Sequence, residues 1–227
     1  MTGFPEARRA LPAPARTRIK ICGLSREADV LAAAQAGADA IGLVFYEPSP
    51  RAVTLQRAEA LARELPPFMT PVGLFVNAPA SRVRAAIERI PNLLLQFHGD
   101  ETPAQCEAYG RPYIRAARVA EGVDLLDFAA RFSRSQAILL DAHVEGYGGG
   151  GKVFDWSLVP HHVNAPVVLS GGLNPANVID GVLALRPWAV DVSSGVEREK
   201  GVKDADAIRR FCEAVREADA RIASSVA

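Results

Sequence analysis

The chain has 227 residues, of which 49% are hydrophobic, and its 26 basic and 26 acidic side chains leave no net charge. That length and composition fit one large globular domain or at most two small ones. The sequence has no Lys and Arg run of the kind that binds a nucleic acid backbone, and no apolar stretch of membrane-spanning length. We therefore expect neither nucleic acid nor a membrane as a partner.

The three cysteines, Cys22, Cys106 and Cys212, are odd in number and widely spaced. This usage is typical of a protein in the reducing cytoplasm and not of a disulfide framework. Residues 1–17, rich in Ala, Pro and Arg, lack the continuous apolar core of a secretory signal. We predict a disordered or variable leader over 1–17 and a single domain over 18–227.

From Arg18 onward, short runs rich in Val, Ile and Leu alternate with segments that have helical spacing. The runs predict strands at RIKIC (18–22), DAIGLVF (39–45), TPVGLFV (70–76), LLLQF (93–97), YIRAARV (113–119), AILLD (137–141), PVVLS (166–170) and WAVDVS (188–193). Strict alternation of this kind implies a parallel sheet covered by helices. Eight units in this length favour closure into an α/β fold of the (β/α)8 TIM-barrel type, although strand number alone leaves an open doubly wound sheet possible.

The segments between the runs carry apolar residues at steps of three and four. Examples are Leu55, Ala58, Ala62 and Leu65, then Val83, Ile87 and Ile90, then Leu125, Phe128, Ala129 and Phe132, and finally Ile208, Phe211, Cys212 and Val215. Thr102 with Gln105 three residues on predicts a capping box, and Asn174 before Pro175 predicts a second helix start. The sixth connection is the exception, with a glycine run and only a weak helical piece near DWSLVP.

Polar residues and glycines collect where the predicted strands end. They are Cys22, Gly23, Arg51, Gln96, His98, Gly99, Asp141, Ser170, Gly171, Gly172, Asp191, Ser193, Ser194 and Gly195. In such barrels this end holds the chemistry. Period-two alternation directs Ile19 and Ile21 toward the helices and Lys20 and Cys22 into the barrel.

Cys22 is the predicted reactive group of the first strand. Lys20 would lie one layer beneath it, and a positive neighbour favours the thiolate. Since an unperturbed thiol has a pKa of roughly 8.5, we expect a downward shift that makes Cys22 a base near neutral pH. The other two cysteines lie on predicted helix faces and are expected to be structural.

Glycine loops follow the seventh and eighth strands, at SGGLNP and SSG. Loops in these positions of a barrel commonly bind a phosphate through free main-chain amides. The segment GYGGGGKV (146–153) has P-loop spacing, but Val153 stands where a Mg-binding hydroxyl is needed. We interpret residues 142–152 as a flexible lid over the barrel mouth.

Together, KICGL, GLVFYEPSPR, VGLFVN, LQFHGDE, LLDA, GKVFDW, LSGGLNPANV and VDVSSGVE resemble the phosphoribosylanthranilate isomerase family of tryptophan biosynthesis, in order over residues 18–215. The resemblance implies an Amadori rearrangement of N-(5-phosphoribosyl)anthranilate to 1-(2-carboxyphenylamino)-1-deoxyribulose 5-phosphate. It implies no metal and no organic cofactor. It makes Cys22 the general base and Asp141 the general acid.

Substrate contacts are expected from Arg51, whose guanidinium fork suits the anthranilate carboxylate, and from the phosphate loops at Gly171, Gly172, Ser193, Ser194 and Gly195. His98 either orients substrate or satisfies Gln96 or a backbone group, and Asp191 holds either Lys20 or the ribose. The only predicted partner is a small phosphorylated substrate, and we expect a monomer, with a homodimer as the alternative.

Two other functions compete with this interpretation. The phosphoribosylformimino isomerase of histidine biosynthesis performs the same rearrangement with two aspartates, and Cys22 at the first strand counts against it. A barrel that binds a phosphorylated ligand without turnover would retain binding and show no rate. We prefer catalysis because a base and an acid stand on separate strands that face one mouth.

Overall fold

The computed structural model describes residues 15–142, 155–160 and 162–226. Eight parallel strands close into a barrel in chain order, which confirms the predicted (β/α)8 architecture and excludes the open sheet. The strands are β1 (Arg18–Cys22), β2 (Ala40–Val44), β3 (Thr70–Phe75), β4 (Leu94–Phe97), β5 (Tyr113–Val119), β6 (Ala137–Ala142), β7 (Val167–Leu169) and β8 (Ala189–Val192). All eight coincide with the apolar runs, because a strand covered on both faces must be apolar nearly throughout.

Seven helices are described around the barrel: α1 (Glu27–Gln35), α2 (Leu55–Arg63), α3 (Ala80–Arg89), α4 (Pro103–Glu107), α5 (Leu125–Arg131), α6 (Val178–Leu185) and α7 (Ala205–Val226). The described part of the sixth connection has only a 3-10 turn at Trp156–Leu158, in agreement with its weak helical pattern. A short antiparallel hairpin, β9 (Glu197–Glu199) and β10 (Val202–Lys203), follows β8 and was not predicted.

The barrel separates two apolar cores. The larger one lies between strands and helices and contains Ile19, Ile21, Leu95 and Phe97, as alternation predicts. The smaller one fills the inside of the barrel and consists of Ile114, Ala116, Ala137, Leu139, Val168 and Ala189. The polar residues of the interior therefore lie above an apolar floor, at the carboxyl end of the strands.

The two predicted helix starts have different outcomes. Thr102 and Gln105 form the capping box before α4, with Pro103 in the first turn, so this prediction is confirmed. The predicted start at Asn174 is wrong, because α6 begins at Val178. The Asn174 Oδ1 instead accepts a hydrogen bond from the Ala176 amide at 2.8 Å, which makes a turn that competes with the helix.

Residues just before β1 contact the barrel. The Thr17 Oγ1 donates to Asp219 Oδ1 on α7 at 2.7 Å, and Arg16 pairs with Asp39 ahead of β2. The rest of the predicted leader, residues 1–14, lies outside the described residues. The division of the chain into a leader over 1–17 and a barrel over 18–227 stays a prediction.

Candidate active site

One side of the barrel mouth is built by β1 and β8. Lys20 pairs with Asp191, with Nζ 2.8 Å from Oδ1, and both side chains are buried. The strand register places these two residues opposite each other. Asp191 also accepts a long 3.5 Å hydrogen bond from Ser170 Oγ through Oδ2. Asp191 therefore holds Lys20, one of the two roles considered for it.

Cys22 is the next inward-facing residue of β1, and it is buried. A Cβ atom at Gly42 would lie 2.5 Å from its Sγ, so the thiol occupies space that only glycine leaves open. Burial raises the pKa of the Cys22 thiol, while the charges of Lys20 and Lys203 lower it and Asp191 raises it further. The pKa of the Cys22 thiol in the protein without substrate lies above its usual value, so the prediction of a downward shift is wrong. Burial outweighs the cation beneath the thiol.

Gly23, directly after Cys22, has a φ of +77°, in the left-handed region that favours glycine. A Cβ atom there would lie 2.5 Å from Cδ of Arg51. Glycine after the cysteine therefore lets the stem of Arg51 cross the end of β1. This contact brings the loop after β2 beside the thiol.

Arg51 makes a bidentate pair with Glu197. The Arg51 Nε donates to Oε1 at 2.7 Å and Nη2 donates to Oε2 at 2.8 Å. This uses one edge of the guanidinium and leaves the Nη1 edge, for which no hydrogen bond is found within the described ranges. Arg51 is thus held rigidly, with one donor edge available to a planar anion.

The opposite side of the mouth is built by β4 and β6. The Asp141 Oδ2 lies 3.0 Å from His98 Nε2, and Oδ1 accepts a hydrogen bond from the Ala142 amide at 3.0 Å. The His98 Nδ1 lies 3.3 Å from Nε2 of Gln96. Because the Gln96 amide nitrogen is assigned to the position facing the ring, it can only donate, and His98 Nδ1 accepts. His98 Nε2 then carries the proton that is directed at Asp141. His98 therefore accepts from the Gln96 amide nitrogen and orients Asp141, which is buried at 8% exposure. The buried Gln96 Oε1 has no hydrogen-bond partner among the described residues.

The two glycine loops pack against each other and against β6. A Cβ atom at Gly195 would lie 1.9 Å from the Leu173 carbonyl oxygen, and one at Gly171 would lie 2.5 Å from the Ala142 amide nitrogen. Gly171 and Gly172 both have positive φ. Among the described residues, the amides of Gly172, Ser194 and Gly195 donate no hydrogen bond to the protein. These amides are available to an anionic group.

Two charged residues of this region, Glu197 and Lys203 on the β9–β10 hairpin, were not predicted from the sequence. Both are buried, and Nζ of Lys203 lies 2.8 Å from Oε1 of Glu197. The available signal was the pattern VEREKGVK, whose Lys-Gly turn between short polar and apolar residues is typical of a hairpin. The predicted lid, except for Ala142 at the end of β6, lies outside the described residues.

Within the part of the chain that the structure describes, no cluster of three or more His, Cys, Asp or Glu side chains has metal-binding geometry. In the same residues, no helix combines the length and apolarity that crossing a membrane requires. All three cysteines are free and buried.

Comparison with known proteins identifies the family of this chain. A family model described as N-(5'phosphoribosyl)anthranilate (PRA) isomerase matches residues 19–214. The N-(5'-phosphoribosyl)anthranilate isomerase of Methylibium petroleiphilum is 73% identical over 210 residues, which cover 92% of this chain and 99% of the relative.

Two solved structures are similar along the same length. A phosphoribosyl anthranilate isomerase in complex with reduced 1-(o-carboxyphenylamino)-1-deoxyribulose 5-phosphate has a TM-score of 0.77 and 36% identity, and the match covers 88% of this chain and 99% of that one. Monomers generated from the dimeric enzyme of Thermotoga maritima have a TM-score of 0.79 and 36% identity, with the same coverage. The chain belongs to the N-(5'-phosphoribosyl)anthranilate isomerase family, whose members are isomerases of tryptophan biosynthesis.

Proposed function

We propose that the chain converts N-(5-phosphoribosyl)anthranilate to 1-(2-carboxyphenylamino)-1-deoxyribulose 5-phosphate, with Asp141 as general acid and Cys22 as general base. One observation carries this proposal. A thiol on β1 and a carboxyl group on β6 both lie inside the carboxyl end of one closed barrel. An aldose to ketose rearrangement needs a proton donor and a proton acceptor at separate atoms of the sugar, and the two strands supply them.

Asp141 performs the first step. Its carboxyl group gives a proton to the furanose ring oxygen as the bond between that oxygen and C1 breaks. The bonding electrons go to the oxygen, and the nitrogen lone pair forms the C1=N bond of an iminium ion. His98 and the Ala142 amide hold the carboxyl group by both oxygens, which fixes its direction during the transfer.

Cys22 performs the second step as a thiolate. It removes the proton from C2, the C–H electrons form the C1=C2 bond, and the iminium electrons return to nitrogen, giving an enolamine. Loss of the O2 proton and protonation of C1 then complete the ketone. Asp141 ends as a carboxylate and Cys22 as a thiol, and a proton passes between them through solvent before the next turnover.

The two anionic ends of the substrate bind to two different sets of donors at the mouth. The phosphate accepts hydrogen bonds from the amides of Gly172, Ser194 and Gly195, with Gly171 and Ser193 shaping the two loops. The anthranilate carboxylate binds the Nη1 edge of Arg51 that Glu197 leaves uncovered. Asp191 acts through Lys20, and no metal or organic cofactor takes part in any step.

The Thermotoga maritima enzyme is named as dimeric, and monomers have been generated from it. For this chain we keep the prediction of a monomer, with a homodimer as the alternative. The cytoplasmic location, inferred from the cysteines, also stays a prediction. Both are open to direct measurement of mass and of cellular distribution.

The decisive experiment follows the fluorescence of phosphoribosylanthranilate with purified protein. We expect fluorescence to fall at a rate proportional to enzyme concentration, and inorganic phosphate to inhibit competitively. If the protein binds the product analogue, reduced 1-(o-carboxyphenylamino)-1-deoxyribulose 5-phosphate, but leaves the fluorescence unchanged, it is a binding barrel without turnover and the proposal is wrong.

A further inference from the structure

Among the described cations near the mouth, Lys203 at the end of β10 is the most completely buried, with a side-chain exposure of 0%. Its Nζ donates to Glu197 Oε1 at 2.8 Å, to the Ser193 carbonyl oxygen at 2.9 Å and to Ser193 Oγ at 3.4 Å. An ammonium group has three N–H donors, and these contacts use all of them. The proposed function gives this residue no role.

Both partners of Lys203 lead to the candidate site. Glu197 holds Arg51 by the bidentate pair. Ser193 Oγ donates to the carbonyl oxygen of Cys22 at 3.1 Å, so the loop after β8 is tied to the end of β1. One ammonium group therefore connects the loop of the predicted carboxylate-binding arginine with the strand that carries the thiol.

The charges around the thiol are unequal. Within the described part of the chain, three cations and two anions form this buried cluster, so that one positive charge is in surplus. The five residues are Lys20, Arg51, Lys203, Asp191 and Glu197. Lys20 has its own carboxylate, whereas Arg51 and Lys203 share Glu197. Without Lys203 the cluster would be neutral, because each remaining cation would have one carboxylate.

We propose that Lys203 is a positioning residue that fixes Arg51 and the loop after β8 and supplies the surplus positive charge beside Cys22. This inference rests on the proposed function. A surplus cation in a buried site attracts a substrate with two anionic groups and opposes the cost of forming a thiolate. Burial raises the pKa of Cys22 most strongly and Asp191 raises it further, whereas Lys20 and, to a smaller extent, Lys203 lower it, in agreement with the proposed direction of the Lys203 charge. A charge on Cys22 also interacts favourably with Arg51, whose pKa is raised chiefly by its hydrogen bonds to Glu197 and to a smaller extent by Cys22.

The test compares Lys203→Met, Lys203→Gln and Lys203→Arg with the wild type. The readout that needs no substrate is the rate of Cys22 alkylation by iodoacetamide against pH, with Cys22 resolved from Cys106 and Cys212 by peptide mass spectrometry. We expect the Met and Gln variants to shift the Cys22 profile upward by about one pH unit. We expect the Arg variant, which keeps the charge, to stay within a few tenths of a unit of wild type.

The second readout is steady-state kinetics with phosphoribosylanthranilate. We expect KM to rise roughly threefold to tenfold in the Met and Gln variants and to recover partly in the Arg variant. The Gln variant keeps N–H donors to Ser193 and Glu197, so it provides a test even if the Met variant does not fold. Lys200→Met, an exposed lysine of the same hairpin, is the matched control and should change neither readout.

Folded Met and Gln variants with the wild-type alkylation profile and wild-type KM would overturn the inference. A shift in the Arg variant as large as in the Gln variant would also overturn it, since the charge would then have no part. Wild-type protein without any isomerisation would overturn the proposed function instead, and the alkylation profiles would still decide the role of Lys203.

Discussion

The two sides of the barrel mouth hold their reactive groups by different means. On the β1 side, Cys22 lies within a cluster of five buried charges tied by ion pairs. On the β6 side, Asp141 is held by one histidine and one amide, with Gln96 behind the ring. A thiol that must become an anion in a dry site needs cations near it, whereas a carboxyl group that donates a proton mainly needs a fixed direction. The comparison predicts unequal sensitivity to substitution.

The largest effect is expected for Cys22→Ala. Removal of the base should lower kcat by about 1,000-fold or more, close to 4 kcal/mol of transition-state free energy. Affinity for the product analogue should stay within about twofold, because the phosphate and carboxylate contacts remain. The measurements are the fluorescence assay and calorimetric titration. Cys212→Ala, buried in α7, is the control and should keep wild-type kcat; a Cys22 variant with that kcat would refute the assigned base.

Asp141→Asn is expected to have the next largest effect. The amide keeps the size of the side chain but has no acidic proton, so ring opening should slow and kcat should fall by about 100-fold to 10,000-fold. Asp127→Asn, on the exposed surface of α5, is the matched control. If Asp141→Asn retained more than half of the wild-type kcat, another group would have to protonate the ring oxygen.

Arg51→Lys separates binding from chemistry on the β1 side. Lysine keeps the charge but cannot bind Glu197 and a substrate carboxylate with two edges of one plane. We expect KM to rise about tenfold and kcat to change by less than about threefold. Arg63→Lys on the surface of α2 serves as the control. A fall in kcat with unchanged KM would show that Arg51 acts in the chemical step.

The smallest effect concerns stability against pH. Burial raises the pKa of Glu197, but hydrogen bonds from Arg51 and Lys203 outweigh it and place the pKa below its ordinary value. Since the folded pKa is depressed, the stabilisation is present above the unfolded value, roughly pH 4.3, and is lost as pH falls through the folded value. Urea unfolding between pH 3 and pH 6 should therefore show a steeper loss of free energy of unfolding for wild type than for Glu197→Gln. Equal slopes would contradict this linkage.

The barrel and its inward-facing residues were predictable because they depend on local pattern. Alternation in RIKIC and LLLQF alone orients Lys20, Cys22 and Gln96, and strand order alone brings the eight ends together. The β9–β10 hairpin and Lys203 were not predicted. The role proposed for Lys203 depends on its connection through Glu197 to Arg51, which lies 152 residues earlier in the sequence.

The expected pKa of Cys22 was wrong for a related reason. The neighbour Lys20 is visible in the sequence, whereas the depth of burial is a property of the closed barrel. The start of α6 was also wrong, because the side chain of Asn174 bonds to the nearby backbone and delays the helix. For Cys22 a local signal competed with burial that only the closed barrel provides, whereas for α6 two local signals competed and the side-chain turn prevailed.

The most direct test of the account is a crystal structure of this protein with reduced 1-(o-carboxyphenylamino)-1-deoxyribulose 5-phosphate. We predict the ligand phosphate on the amides of Gly172, Ser194 and Gly195, with the Cys22 sulfur facing C2 and the Asp141 carboxyl group within hydrogen-bond distance of the O4 hydroxyl. A ligand bound with C2 and O4 both turned away from these two side chains would contradict the account.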